Sequence, residues 1–237
     1  MRRLDCEEKM KSTVVLLTPA DLTHKVDVYY HHAVIDTIKL CAKHGIDVVP
    51  ISWPGEALVQ HARNALAGLA LKSNAEQFFW VDADQEWQAE QFLRLLQHPV
   101  DVVGATYLKK QVEEEYTFRT GPVIEVRNGL MAIQSMGTGF LRVSRQALQA
   151  VWNASEPYEK AGEQFRMCFD VQVIEGHLVG EDTYFCAGLA DAGYQTWLDP
   201  SFTVGHNGFK RFKGDVAAYI AKLAKEHQQR QPKKVPG

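Results

Sequence analysis

The chain is 237 residues long, 46% hydrophobic and 23% charged, ordinary values for a globular protein of one large domain or two small ones. A net charge of -3 argues against capture of nucleic acid over the whole surface and leaves room only for a local basic groove. The opening MRRLDCEEKMK lacks the apolar stretch of a secretory signal, no segment is apolar for the length a membrane requires, and the four cysteines (Cys6, Cys41, Cys168, Cys186) have no zinc spacing, so a soluble protein of a reducing, cytoplasmic compartment is expected.

In chain order, residues 1–11 are read as an N-terminal extension. TVVLLTP (13–19) is β-branched and apolar, and is expected to form the first strand, stopped by Pro19. A helix pattern runs from about Asp27 to His44, and Gly45 sits where a C-cap glycine belongs. There follow the strand IDVVPIS, an alanine- and leucine-rich helix from about Glu56 to Lys72, the strand QFFWVDAD, the helix AEQFLRLLQH and the strand VDVVGATY (100–107). This alternation is the signature of a parallel sheet covered by helices on both faces.

After Tyr107 the pattern changes. YTFRTG, PVIEVRNGLMAIQSMG and GFLRVS read as short strands, with a turn at Arg127-Asn128-Gly129. A helix over Ser144 to Val151, a polar irregular stretch from Asn153 to His177 and a helix over Glu181 to Gly193 come next. Strand-like YQTWLDP and FTVGHNG, a last helix and a frayed tail (227–237) complete the chain. Cys41 and Cys186 lie in apolar helical patterns and are expected in the core, whereas His31 and His32 are expected on the surface.

The stretch FFWVDADQEW carries the first chemical signal. Asp82 and Asp84 follow an apolar strand, at the end where open α/β sheets place their ligands. If the strand stays extended through Asp84, both carboxylates aim at one point and a cation between them relieves their repulsion. The alternative is that Asp84 only turns the chain into the next helix.

WVDAD, VVGATY, GTGFLRVSRQAL and GEDTYFCAGLADAGYQTWLDPSFTVGHNG, in that order, resemble the GT-A fold of nucleotide-sugar-dependent glycosyltransferases, family 2-like members in particular, over roughly 12–214. The resemblance implies a single compact α/β domain over 12–226. Its Rossmann-like half (12–110) would bind the nucleotide sugar and its mixed α/β half (111–226) would supply the acceptor side. By the same resemblance Asp82 and Asp84 form the DxD motif, which holds Mn²⁺ or Mg²⁺ against the donor diphosphate, with Asp82 also on the donor. A divalent ion there reverses the repulsion between carboxylate and phosphate.

Arg63, in HARNALAGLA, is implied to contact the nucleotide with Asn64 supporting the loop. The alternative for Arg63 is a solvated helix face. Pro19 closes the first strand where the base pocket of the family begins. Gly137-Thr138-Gly139 either lines the donor sugar or is a tight turn that needs glycine. Glu181-Asp182 matches the family's ED motif, with Asp182 the catalytic base of an inverting transfer. A helix N-terminus keeps such a carboxylate ionised and therefore weakly basic, and the alternative is that one of the two acids caps the helix. His206 corresponds in place to a further metal ligand.

The implied activity is hexosyl transfer from a UDP- or GDP-sugar to a hydroxyl on a glycan, a lipid carrier or a nucleic acid. Alternatives are a catalytically silent nucleotide-sugar-binding module and a retaining enzyme acting on a modified nucleic-acid base. Nucleotidyl transfer fits less well, because TPADLTHK has none of the glycines of a triphosphate loop, and a phosphatase would carry its nucleophilic aspartate on the first strand. FKRFKG and the last helix form a basic face that is either solvated or meets an anionic partner.

Overall fold

A computed structural model describes residues 12–111, 113–208 and 210–230, the last four as helical backbone only. The extension expected over 1–11, with Cys6, and the tail beyond residue 230 lie outside the described residues. The first part of the chain runs β1 (Ser12–Pro19), α1 (Val28–Lys43), β2 (Ile46–Trp53), α2 (Val59–Lys72), β3 (Gln77–Val81), β4 (Gln85–Glu86), α3 (Ala89–Gln97) and β5 (Val102–Gly104). Then come β6 (Phe118–Arg119), β7 (Val126–Arg127), β8 (Leu130–Ile133), β9 (Ser135–Met136), β10 (Phe140–Ser144) and α4 (Arg145–Ala154). Two hairpins, β11 (Pro157–Lys160) with β12 (Glu163–Arg166) and β13 (Gln172–Ile174) with β14 (His177–Val179), precede α5 (Glu181–Asp191). The chain ends in β15 (Thr196–Leu198), β16 (Gly205–Asn207), β17 (Arg211–Phe212) and α6 (Val216–Arg230).

Local chemistry accounts for many of these boundaries. The Asp27 carboxylate accepts from Tyr29 N at 2.8 Å and caps α1, which ends at His44 with Gly45 at φ +72°. Ser144 caps α4. Asn128 and Gly129, both at positive φ, make the two-residue turn between β7 and β8. The segment expected to be irregular is instead two hairpins, turned at Ala161-Gly162 and Glu175-Gly176, again at positive φ. Their strands are short and mostly solvent-facing, so no apolar alternation marks them.

The main sheet has eight strands in the order β2-β1-β3-β10-β5-β15-β8-β7. β1 is parallel to β2 and β3, and β15 is parallel to β5, but β10 runs antiparallel between β3 and β5. The sheet is therefore mixed, and a strand of the second half sits inside the first. Arg142, buried on β10, fixes it there by donating to Gln77 Oε1 (2.9 Å), His98 O (3.1 Å) and Val100 O (2.5 Å). Alternation along β1 and β3 sends Val14, Leu16, Phe79 and Val81 to one core, which they share with Tyr30 of α1 and Phe92 of α3. Val15, Leu17, Phe78 and Trp80 face a second core with Leu66, Leu148 and Phe185 of α2, α4 and α5. Cys41 and Cys168 lie in these cores, Cys186 is also buried, and His31 and His32 are exposed. Among the described residues no helix is long and apolar enough to cross a membrane.

Asp199, fully buried after β15, ties the sheet to α3. It faces Arg94 Nε at 2.6 Å and His98 Nε2 at 2.8 Å, and accepts from Ser201 Oγ at 2.6 Å. Burial alone would raise its pKa, but the bonds from Arg94, Ser201 and His98 hold it below the ordinary value. A depressed folded pKa contributes stability above the unfolded value, and that contribution is lost as pH falls. Asp199→Ala is expected to cost about 2–4 kcal/mol at pH 7, because it strips partners from a buried network. Urea titrations should show the gap closing below about pH 4, the unfolded aspartate range.

Candidate active site at the carboxyl edge of the sheet

β3 ends at Val81, and Asp82 extends its pairing by one bond, donating from its backbone N to Gly139 O at 3.1 Å. Ala83 and Asp84 then turn, closed by Gln85 N donating to Asp82 O at 3.1 Å. The extended geometry that would aim both carboxylates at one point is therefore absent. β4 pairs antiparallel with β16, with Gln85 opposite His206, and Asn207 N donates to Asp84 O at 2.8 Å. Asp84 consequently turns toward His206, while Asp82 turns toward α2.

On α2, Arg63 is 3% exposed, which excludes a solvated helix face. Its Nη2 donates to Asp82 Oδ1 at 3.1 Å and lies 3.6 Å from Asp182 Oδ1, and its Nε lies 3.9 Å from Glu181 Oε1. One guanidinium thus gathers carboxylates from the end of β3 and the start of α5. Burial would lower the pKa of Arg63, but Asp82, Asp182 and Glu181 outweigh it and hold the group above the usual arginine value. Desolvation raises Asp82, against the pull of Arg63 and with the push of Asp84. Glu181 is raised by desolvation and by Asp182.

Desolvation also raises Asp182, opposed by Arg63 and reinforced by Asp82. Burial thus opposes the helix N-terminus, which by itself would leave Asp182 a weak base. Neither acid occupies the N-cap of α5, which is Gly180. Asp182 Oδ1 instead accepts from Thr138 Oγ1 at 2.5 Å.

Gly137 and Gly139 are not in the left-handed region, so no turn demands them. They make space. A Cβ on Gly139 would lie 2.6 Å from Asp82 Oδ2 and 2.7 Å from Tyr107 Oη, and one on Gly137 would lie 2.3 Å from Tyr107 Oη. The buried Tyr107 accepts from Gly139 N at 3.1 Å and sets its ring edge-on to His206, centroids 4.9 Å apart. Sequence patterns did not single out Tyr107, whose only signal is its place in VVGATY. Asn64 holds the backbone of Phe169 from both sides, donating to its O at 3.0 Å and accepting from its N at 2.8 Å. Its amide is thus committed to the neighbouring loop.

A cleft of about 520 Å³ opens along this edge, lined by Pro19, Arg63, Asp82, Asp84, Lys110 and Asn207 among others. A hollow of similar size, about 530 Å³, lies between α6 and the segment after β5, where Lys109, Lys213 and Lys222 mix with Glu113, Glu114 and Asp215. It contains none of the expected site residues.

The fit to a divalent cation rests on Asp84 and His206. His206 Nδ1 donates to Leu108 O at 2.7 Å, which leaves Nε2 of the neutral ring as the lone-pair nitrogen. Nε2 faces Asp84 Oδ1 at 3.6 Å, and that oxygen is buried without a hydrogen-bond partner. With the ring neutral, these two electron-pair donors face each other and suit a cation, whereas a protonated ring would pair with Asp84 directly. Asp82 is engaged by Arg63, and among the described residues no group of three His, Cys, Asp or Glu side chains is drawn together as a metal cluster.

No protein-family model matches the chain, and a search of curated proteins found no match. Among solved structures, A197 from STIV is similar at a TM-score of 0.50 and 16% identity, over 84% of this chain and 93% of that one. The Drosophila beta-1,4-galactosyltransferase 7, solved with manganese, UDP-Gal and xylobiose, gives 0.45 and 12% over 95% and 82%. The inositol-1-phosphate CTP transferase from T. maritima gives 0.43 and 8% over 95% and 98%. Of the three, A197 reaches a TM-score of 0.50, and at 16% identity it speaks to fold alone. The α/β architecture expected from the sequence is the one the chain adopts, with helices on both faces of a central sheet that is mixed rather than parallel.

Proposed function

We propose that this protein is a metal-dependent glycosyltransferase that moves a hexosyl group from a UDP- or GDP-sugar to an acceptor hydroxyl with inversion, Asp182 serving as base. The observation that carries this is Arg63, which lines the cleft with Asp82 of the DxD segment and lies 3.6 Å from Asp182 of the ED segment, itself on the wall of a second hollow beside Gly137. Residues 12–110 then hold the donor and 111–226 supply the acceptor side.

The donor lies along the Pro19 wall with its phosphates toward Arg63 and the aspartates. Thr138 engages Asp182 Oδ1, so Oδ2 takes the acceptor proton as the acceptor oxygen bonds to the anomeric carbon. The bond from that carbon to the phosphate oxygen breaks with its electron pair on the nucleoside diphosphate. Asp84 and His206 would hold a divalent cation, which would supply charge neutralisation at the leaving diphosphate. Gly137 and Gly139 keep Tyr107 against His206, which fixes the ring that would ligate it.

The deciding experiment is a thermal-shift screen of nucleotide sugars with and without Mn²⁺. At 100 times the dissociation constant, a ligand of the folded state adds about 2.7 kcal/mol. Stabilisation by one nucleotide class that requires the metal is expected, and no shift with any of them would sink the proposal. Slow metal-dependent donor hydrolysis separates an enzyme from a silent binding module. Asp84→Ala and His206→Ala should each weaken Mn²⁺ binding by at least about 10-fold in calorimetry, the lower end for disturbing a metal site, while His31→Ala changes nothing.

A further inference from the structure

Lys110, on the segment after β5, reaches the same carboxylate from the opposite side. Its ammonium pairs with Asp84 Oδ2, while Oδ1 faces His206. We propose that Lys110 competes with the divalent cation for Asp84 and, once displaced, contacts the donor's diphosphate, so that cation and donor binding are linked through one lysine. This rests on the glycosyltransferase reading.

The geometry forces the competition. A dication between Asp84 Oδ1 and His206 Nε2 shares its carboxylate with an ammonium on the other oxygen, and like charges so close repel strongly in a partly desolvated wall. Arg63 is buried among three carboxylates and cannot leave them. Lys110 can leave: 33% of its side chain is exposed, and its long stem lets the charge move without the backbone. Its stem also lies against a prepared surface. A Cβ on Gly208 would sit 3.1 Å from Lys110 Cδ and 3.3 Å from Cε, so glycine leaves the stem its room. Lys110 and Gly208 both line the cleft, where a diphosphate is the natural next partner for a released ammonium.

The test is calorimetry on the full chain with Mn²⁺ alone, then with UDP and GDP in saturating Mn²⁺. Lys110→Gln is expected to bind Mn²⁺ at least about 5-fold tighter, the low end of usual coupling between sites, and to bind the nucleoside diphosphate more weakly by a similar factor. Lys110→Met, which keeps the stem on Gly208, is the second variant should the first fold poorly. Lys109→Gln, whose ammonium pairs with Glu115, is the control and should change neither affinity. A structural role would weaken both affinities together, so opposite signs are the signature. Wild-type Mn²⁺ affinity in both Lys110 variants overturns the competition, and unchanged nucleotide affinity overturns the phosphate contact, each leaving the transferase proposal standing. A wild-type protein that binds neither Mn²⁺ nor nucleoside diphosphate overturns that proposal and this inference with it.

Discussion

Asp182→Asn is expected to retain donor affinity and to lose transfer by about 10²–10⁴-fold, the scale for removing a general base. Asparagine keeps the size of the side chain and an oxygen for the Thr138 hydroxyl, so the start of α5 should stay in place. What disappears is the proton acceptor. The pH profile makes the result specific. Desolvation, reinforced by Asp82, raises Asp182 above the ordinary carboxylate pKa, so activity should rise with pH above the usual aspartate range. Glu181 titrates beside it, so the acidic limb belongs to the pair, and Asp182→Asn should remove it. Rates measured across pH at saturating donor check this, and wild-type turnover in the variant would remove Asp182 from the mechanism.

Arg63→Met should have the largest effect on the fold. It leaves Asp82, Glu181 and Asp182 without their shared cation, and breaking a buried ion pair from one side costs about 3–5 kcal/mol. The sign of the pH dependence follows from the same charges. All three carboxyls are already raised in the folded protein, and loss of Arg63 raises them further. Groups raised on folding contribute stability that is full below the unfolded carboxylate range and is lost as pH rises through the folded values. The deficit of Arg63→Met should therefore shrink between pH 7 and pH 5 as the variant takes up protons. In Asp199→Ala the gap also narrows on acidification, but there the wild type weakens. Urea titrations of both variants at several pH values separate the two, and a full deficit for Arg63→Met at pH 5 would show that packing, not charge, is what the arginine contributes.

Elements and termini governed by neighbours in the chain were legible in the sequence. Asp27, Gly45, Asn128-Gly129 and Ser144 act through bonds or dihedral angles within a few residues, and the apolar runs of β1 and β3 identify buried strands without knowledge of their partners. The α/β class followed from the order of such runs, whereas the likeness to the GT-A fold, and with it DxD, ED, Arg63 and His206 as candidates, came by resemblance. The hairpins between Pro157 and Val179 escaped because their strands bury little and so carry no periodic apolar signal.

Only the tertiary structure decided how the candidates are joined. That Asp82 and Asp84 part company depends on β10 and β16, which pair with β3 and β4 from more than fifty residues away. The burial of Arg63 depends on α5 and on Phe169 behind the guanidinium. Tyr107 and Lys110 have no motif, and acquire their places because Gly137, Gly139 and Gly208 leave room for them. Caps, turns and strand runs are short-range properties written in consecutive residues. A side chain's partners, and with them its charge state, are fixed by sheet order and helix docking, which bring together residues that no local pattern relates.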